Sequence, residues 1–113
     1  MIPTDDKERK EMKLYDFMFH YFPDAWLAVA NVAVVGNRQH NPGEPMHWAR
    51  GKSMDQMNSG FRHLFDYGRG TKIDTDGQHH LAKVIWRFMA QLQLDIEAAA
   101  DREAGVVENQ KRP

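Results

Sequence analysis

The feature that most constrains the fold is an apolar repeat near the carboxyl end of the chain. Its members recur at intervals of three and four residues: Leu81, Val84, Ile85, Phe88, Leu92 and Ile96. Because this spacing places them on one face of an α-helix, it predicts a helix over residues 78–103. A helix of this length needs a partner to cover its apolar face. We therefore expect an all-α chain.

Two further helices are predicted upstream. One covers residues 53–67, with Ser53 as its N-cap. Its apolar side chains are expected to form core, and they are Met54, Met57, Phe61, Leu64 and Phe65. The other covers residues 23–36 and stops at Gly36. It is apolar on nearly every side, which indicates burial on most sides. Residues 32–35 also fit a strand, because β-branched valines cluster there.

The length of the chain suits one domain. It has 113 residues, of which 42% are hydrophobic and 27% charged, as is typical of a globular protein. Residues 1–13 and 105–113 are polar and are expected to be flexible tails, which leaves one helical domain over residues 14–104. A bundle of three main helices has a small core, so we expect oligomerisation, to a homodimer or homotetramer, to complete it.

Charge and composition exclude several classes of function. The formal net charge is −1, so no overall field attracts a nucleic acid polymer or a membrane. The longest apolar run, residues 25–35, is far shorter than the ~20 residues of a transmembrane helix. The chain has no cysteine, so metal ligands must be His or carboxylate side chains, and a cytoplasmic location fits.

Side chains that handle phosphates gather around two predicted helix ends. They are Arg62 and His63 on the second helix, Asp74 and Asp76 in the turn, and His79, His80 and Lys83 on the third. Arg62 and Lys83 are candidates for binding phosphate, and we expect them to converge with Asp74 and His80 on one anion-binding pocket. Asp74 and Asp76 suit a magnesium ion, but they also suit simple helix caps. His63 and His80 are candidate acid or base groups, and a structural role fits each of them as well.

Residues 37–52 are rich in Pro and Gly and are expected to form a loop. The loop carries three candidate substrate-binding residues, Asn41, His47 and Trp48. Trp48 suits either stacking on a base or filling the core beneath the loop. Trp86, in the middle of the third predicted helix, is expected to pack against its neighbours.

Several of these motifs together resemble a known family. They are the loop that ends at His47-Trp48, Arg62-His63-Leu64, the turn Asp74-Thr75-Asp76-Gly77, and His80 at the start of the last helix. Over roughly residues 24–97 the chain resembles the phage dATP/dGTP diphosphohydrolase N-terminal domain family. It is also similar, in broad outline, to the MazG-type all-α pyrophosphatases.

The resemblance implies a helical protein that cleaves purine deoxynucleoside triphosphates between the α and β phosphates. The products would be the monophosphate and pyrophosphate, with Mg²⁺ or Mn²⁺ as the cofactor. The location would be the cytoplasm, or the host cytoplasm if a phage encodes the chain.

The chain departs from the family pattern in its carboxylates. Asn58 stands where an acidic residue is usual, and Gly70-Thr71-Lys72 replaces a Gly-Glu-Asp stretch. Because fewer carboxylates weaken the case for metal-dependent catalysis, one alternative is a protein of the same fold that binds and sequesters a nucleotide. A third interpretation is a helical structural or regulatory protein that binds another protein.

Overall fold

The computed structural model describes residues 1–105. Its elements are α1 (Asp6–Glu11), a π-helical turn (Asp16–Tyr21), α2 (Pro23–His40), α3 (Gln56–Gly68) and α4 (His80–Ala104). Residues 1–105 form no strand, and one isolated bridge pairs Ile73 with His79. The predicted all-α fold is therefore confirmed. Of the predicted tails, the first contains α1, and the second lies outside the described residues apart from Gly105.

α2 continues for four residues beyond its predicted end at Gly36, so the strand alternative for residues 32–35 is wrong. It ends at His40 because Asn41 precedes a proline, which moves Asn41 out of the helical conformation. The predicted burial on most sides is also wrong. Val29 is the one residue of α2 that is buried, and Leu27 is 70% exposed.

α3 begins at Gln56 rather than after Ser53. The predicted cap at Ser53 is wrong because its hydroxyl is used elsewhere, as an acceptor for Arg87 Nη1 at 3.1 Å. The helix ends at Gly68, and the backbone N–H of Gly70 then donates to the carbonyl of Tyr67 at 3.0 Å. Gly70 has a φ of +102°, a conformation that glycine adopts without strain. The chain can therefore reverse and enter α4.

α3 and α4 form an antiparallel hairpin whose inner face is polar or small. The buried residues of α3 are Gln56, Ser59 and Gly60. At Gly60 the helices approach so closely that an added Cβ would lie 2.3 Å from Cε1 of Phe88. A glycine is therefore required where the two helices cross.

The apolar residues of the predicted second helix do not form the expected core. Met54, Met57, Phe61, Leu64 and Phe65 are between 36% and 83% exposed. The predicted apolar stripe on α4 is also mostly exposed. Val84 is buried, but Leu81, Ile85, Leu92 and Ile96 are 37% to 58% exposed. The buried hydrophobic residues of the described chain are few and mostly small, namely Val29, Ala82, Val84 and Ala90. Among residues 1–105, no helix combines the length and apolar character needed to cross a bilayer.

Candidate functional site

A cavity of about 340 Å³ lies between the end of α2, the loop that follows it and the α3–α4 hairpin. Trp48 and Trp86 contribute to its apolar wall, and Lys52, Lys83 and Arg87 are the cationic side chains in its lining. Its volume is within the range of small-molecule sites, which are mostly apolar with a few well-placed polar groups.

The turn between α3 and α4 directs two carboxylates toward the cavity side of α4. The N–H of Asp74 donates to the carbonyl of Gln78 at 2.8 Å, and the N–H of Gly77 donates to the carbonyl of Asp74 at 2.9 Å. Asp76 accepts hydrogen bonds from the backbone and side-chain amides of Gln78, at 3.1 and 3.0 Å. The turn is therefore closed by its own hydrogen bonds.

Lys83 joins both carboxylates. Its Nζ donates to Asp74 Oδ2 at 2.6 Å and to Asp76 Oδ2 at 2.7 Å. These hydrogen bonds from Lys83 lower the pKa of Asp74 and hold the pKa of Asp76 at about 2. Burial alone would lower the pKa of Lys83, but the two carboxylates outweigh it and the pKa is raised. All three groups are therefore charged at neutral pH.

As placed, Asp74 and Asp76 do not fit the predicted magnesium site. The ammonium of Lys83 lies within hydrogen-bonding distance of both carboxylates, where it would repel a divalent cation. The same residues do not cap α4 either, because its N-cap is His79 and no side chain bonds to the helix end. His63, Asp74 and His80 bring three possible ligand atoms within 4.8 Å of one another. Two imidazoles suit a transition-metal ion better than magnesium.

The two candidate catalytic histidines are in direct contact. His63 Nδ1 and His80 Nδ1 are 2.9 Å apart, so one ring donates a hydrogen bond to the other. His63 lines the cavity. His80 lies behind it, with 4% of its side chain exposed and its Nε2 4.0 Å from Asp66 Oδ2. Burial, and then the charge of Lys83, lower the pKa of His63, so its neutral form is favoured as a proton acceptor.

Arg62 does not reach the cavity, so its predicted convergence with Lys83 is wrong. Its side chain is 67% exposed, and its Nη1 is 3.4 Å from Asp55 Oδ2. The reason is helical geometry: neighbours on a helix point about 100° apart, so with His63 facing inward Arg62 faces aside.

Arg87 takes the place that was expected for Arg62. Its Nη1 donates to Ser53 Oγ and to Gln56 Oε1, each at 3.1 Å. The sequence did carry a signal for this residue, because Arg87 follows Lys83 by four positions and so lies on the same helix face.

The three candidate residues of the loop all line the cavity. Asn41 is buried, and its Nδ2 donates to Asn37 Oδ1 at 3.0 Å. His47 is exposed, with its Nδ1 3.0 Å from the carbonyl oxygen of Pro45. Trp48 packs edge-to-face on Trp86, with ring centroids 6.3 Å apart. Trp48 therefore packs against α4 and forms part of the cavity wall, and stacking on a base stays a prediction.

An ion pair that the sequence did not indicate fixes this loop to α4. Arg50 donates to both carboxylate oxygens of Glu97, at 2.6 and 3.2 Å. The guanidinium of Arg50 also lies 4.3 Å from the ring centroid of Trp48. Since the two partners are 47 residues apart, only the fold reveals the pair. It orients the aromatic wall of the cavity.

Fold and site together define a small all-α protein with a cavity that combines aromatic and cationic side chains. The chain belongs to the family described as "dATP/dGTP diphosphohydrolase, N-terminal", whose model matches residues 3–103. The resemblance carried by the Arg-His-Leu, Asp-x-Asp-Gly and His80 motifs is thus confirmed. No curated protein and no solved structure matches the chain.

Proposed function

We propose that the chain is a nucleoside triphosphate pyrophosphohydrolase that acts on dATP or dGTP in the cytoplasm. The family supports the reaction class, and the cavity supports the substrate class. The observation that carries the proposal is the combination of an aromatic wall, three cationic side chains and a histidine around one space of nucleotide size.

In this proposal the base lies against Trp48 and Trp86, because flat apolar rings stack favourably on a purine. The phosphates lie toward Lys52, Lys83 and Arg87. Among the described lining residues Asp76 is the one carboxylate, so cations outnumber anions in the lining. That balance favours an anionic ligand.

His63 is the proposed general base. It accepts a proton from a water whose oxygen forms a bond to the α-phosphorus, while the bond from that phosphorus to the bridging oxygen breaks and its electron pair leaves with pyrophosphate. A lowered pKa keeps His63 neutral at physiological pH and ready to accept this proton. His80 is a positioning residue, because its ring holds the ring of His63 by the 2.9 Å hydrogen bond.

Mg²⁺ or Mn²⁺ enters this proposal as the counter-ion that accompanies the triphosphate. Such an ion neutralises phosphate charge. The steps assigned to His63, His80 and the cationic side chains do not require the ion to displace Lys83.

Turnover is tested by incubating the protein with each deoxynucleoside triphosphate, with Mg²⁺, with Mn²⁺ or with a chelator, and separating the products by chromatography. We expect monophosphate and pyrophosphate in equal amounts from dATP or dGTP. His63→Ala should abolish product formation, whereas His79→Ala, a change at the neighbouring exposed histidine, should not. Release of inorganic phosphate instead of pyrophosphate would contradict the proposal.

A second candidate function is binding without cleavage. The pairing of Lys83 with both carboxylates favours it, because Asp74 and Asp76, the predicted metal ligands, already share one ammonium group. Calorimetry with dATP and dGTP distinguishes the two candidates. A sequestering protein binds the nucleotide and returns it intact, and His63→Ala then changes affinity without any change in product.

A further inference from the structure

The side-chain amide of Gln78, in the turn before α4, carries a buried oxygen that has no donor in the described chain. Gln78 is 7% exposed and lines the cavity. Its Nε2 donates to Asp76 Oδ2 at 3.0 Å, which fixes the amide, because the reversed amide would place Oε1 against a carboxylate oxygen. Oε1 accepts no hydrogen bond from residues 1–105. The lining of the cavity therefore includes a hydrogen-bond acceptor that is not yet satisfied.

A buried acceptor without a donor is unfavourable. Leaving such a group unpartnered costs about 1–3 kcal/mol, and buried polar groups in native proteins are nearly always hydrogen-bonded. Lys83 does not supply the donor, because its ammonium donates to Asp74 and Asp76. A donor that enters the cavity together with the substrate would satisfy the oxygen, and water is the smallest such donor.

We propose that Gln78 Oε1 accepts a hydrogen bond from the water that attacks the α-phosphorus and thereby orients this water. The inference rests on the proposed function, because this is the water whose proton passes to His63. It gives the water a second protein contact, from a side chain outside the sequence motifs.

A continuous set of polar contacts connects Gln78 with His63. His63 Nδ1 lies 3.9 Å from Asp74 Oδ2, and Lys83 Nζ donates to Asp74 and Asp76 at 2.6 and 2.7 Å. Asp76 in turn accepts from Gln78. Lys83, a proposed phosphate-binding residue, thus lies between the two side chains in this network. A water beside a phosphate bound at Lys83 would lie close to both His63 and Gln78, which line the same cavity.

Hydrolysis is favoured by two acceptors at the attacking water. Water has two hydrogens, and its lone pair is best directed at phosphorus when both hydrogens are held elsewhere. With the proton of the His63–His80 contact assigned to His63 Nδ1, Nε2 of His63 takes one hydrogen. Gln78 Oε1 holds the other, which stays on the oxygen that becomes part of the monophosphate. An amide neither gains nor loses a proton here, so Gln78 orients the water, as a glutamine does in several GTPases.

Steady-state kinetics with dATP and dGTP test the role of Gln78. Gln78→Met keeps the length of the side chain and removes its acceptor oxygen. We expect kcat to fall by ~100-fold, the usual cost of a misplaced reactant. KM should change by less than about threefold, because the contacts to the nucleotide remain. His79→Met, at the neighbouring exposed residue, is the matched control and should keep the wild-type kcat. A raised KM with unchanged kcat would overturn the inference, because Gln78 would then bind the substrate rather than the water.

Methanol as a competing nucleophile gives a second test, which does not depend on how much of the variant folds. Methanol has one hydroxyl hydrogen, which passes to His63, so it needs no acceptor at residue 78. In dilute methanol the ratio of nucleotide methyl ester to monophosphate should be about tenfold higher for Gln78→Ala than for wild type. Equal ratios for the two proteins contradict the inference.

Failure of the inference is distinguishable from failure of the proposed function. If wild type forms no monophosphate from dATP or dGTP, both are wrong. If wild type is active and Gln78→Met has the wild-type kcat, the proposed function stands and Gln78 does not orient the attacking water.

Discussion

In a simple amphipathic helix pair the apolar faces pack together and the polar faces are exposed, whereas in the α3–α4 hairpin the inner face of α3 is polar and its outer face is apolar. The inner face of α3 buries Gln56, Ser59 and Gly60, whereas its outer face exposes Phe61 and Phe65. α4 is mixed: it buries His80 and Glu97 together with Ala82, Val84 and Ala90, and it exposes Leu92. Hydrophobic spacing therefore locates each helix, but it does not identify which face of the helix packs against the rest of the chain.

The difference has a physical basis. Buried polar groups must be hydrogen-bonded, and those of the inner face bond to one another: Arg87 to Gln56, and His63 to His80. A buried polar network of this kind suits a binding site for a polar ligand. The outer face of α3 instead exposes apolar side chains, and the Arg69 guanidinium lies 5.7 Å from the ring centroid of Phe65 there.

A substitution at Gly60 should disrupt the packing of α3 on α4 most severely. In Gly60→Val the side chain would overlap the ring of Phe88, which lies 2.3 Å from an added Cβ, so the helices must separate. We expect a loss of about 3 kcal/mol in the free energy of unfolding, measured by urea denaturation.

Gly36→Val is the matched control for this change. Gly36 is also helical, but nothing lies within 4 Å of an added Cβ there. We expect a change of less than about 0.5 kcal/mol, since valine has a somewhat higher helix propensity than glycine. Equal losses at the two glycines would show that the close contact with Phe88 does not limit the packing of α3 on α4.

Comparing two arginines on the hairpin tests whether the polar network of the inner face contributes to nucleotide binding. Arg87 lines the cavity and Arg62 does not. Arg87→Ala should weaken dATP or dGTP binding by about 2 kcal/mol, or roughly 30-fold, since a charge-assisted hydrogen bond is lost. Calorimetry with Arg62→Ala should show less than about a threefold change. A larger effect at Arg62 would restore the pocket that the sequence predicted. Thermal melts of both variants separate loss of binding from loss of fold.

The fold was largely predictable because its signals are local. The spacing of Leu81, Ile85 and Leu92 predicted α4, and Pro23 predicted the start of α2. The errors arose where a local signal was overridden by a contact distant in sequence. Ser53 has the chemistry of an N-cap, but its hydroxyl is used by Arg87, 34 residues later.

The site was predictable only in part for the same reason. Motif spacing predicted that Asp74, His80 and Lys83 lie together, because a short turn between antiparallel helices leaves few other arrangements. It left the contact of His63 with His80 open. It could not decide between Arg62 and Arg87, since that choice depends on which face of α3 is buried. The pair of Arg50 and Glu97 leaves no local pattern at all.

The smallest expected effect concerns the charged groups beside the cavity, and it depends on pH. In the folded chain the pKa of Asp76 is lowered from 3.8 to about 2, so the ionised carboxylate stabilises the folded state. This contribution is fully present above the unfolded value of 3.8 and is lost as the pH falls through about 2. Because the Asp76 side chain is 35% exposed, solvent screening reduces this contribution to a few tenths of a kcal/mol.

Wild type should therefore melt at a slightly higher temperature than Asp76→Asn at pH 6, and this gap in melting temperature should close between pH 4 and pH 2. In a Lys83→Met background the gap should become smaller, because the hydrogen bond from Lys83 is the largest cause of the lowered pKa and the two hydrogen bonds from Gln78 remain. A gap of unchanged size in that background would assign the stabilisation to Gln78 alone, whose two amides donate to Asp76.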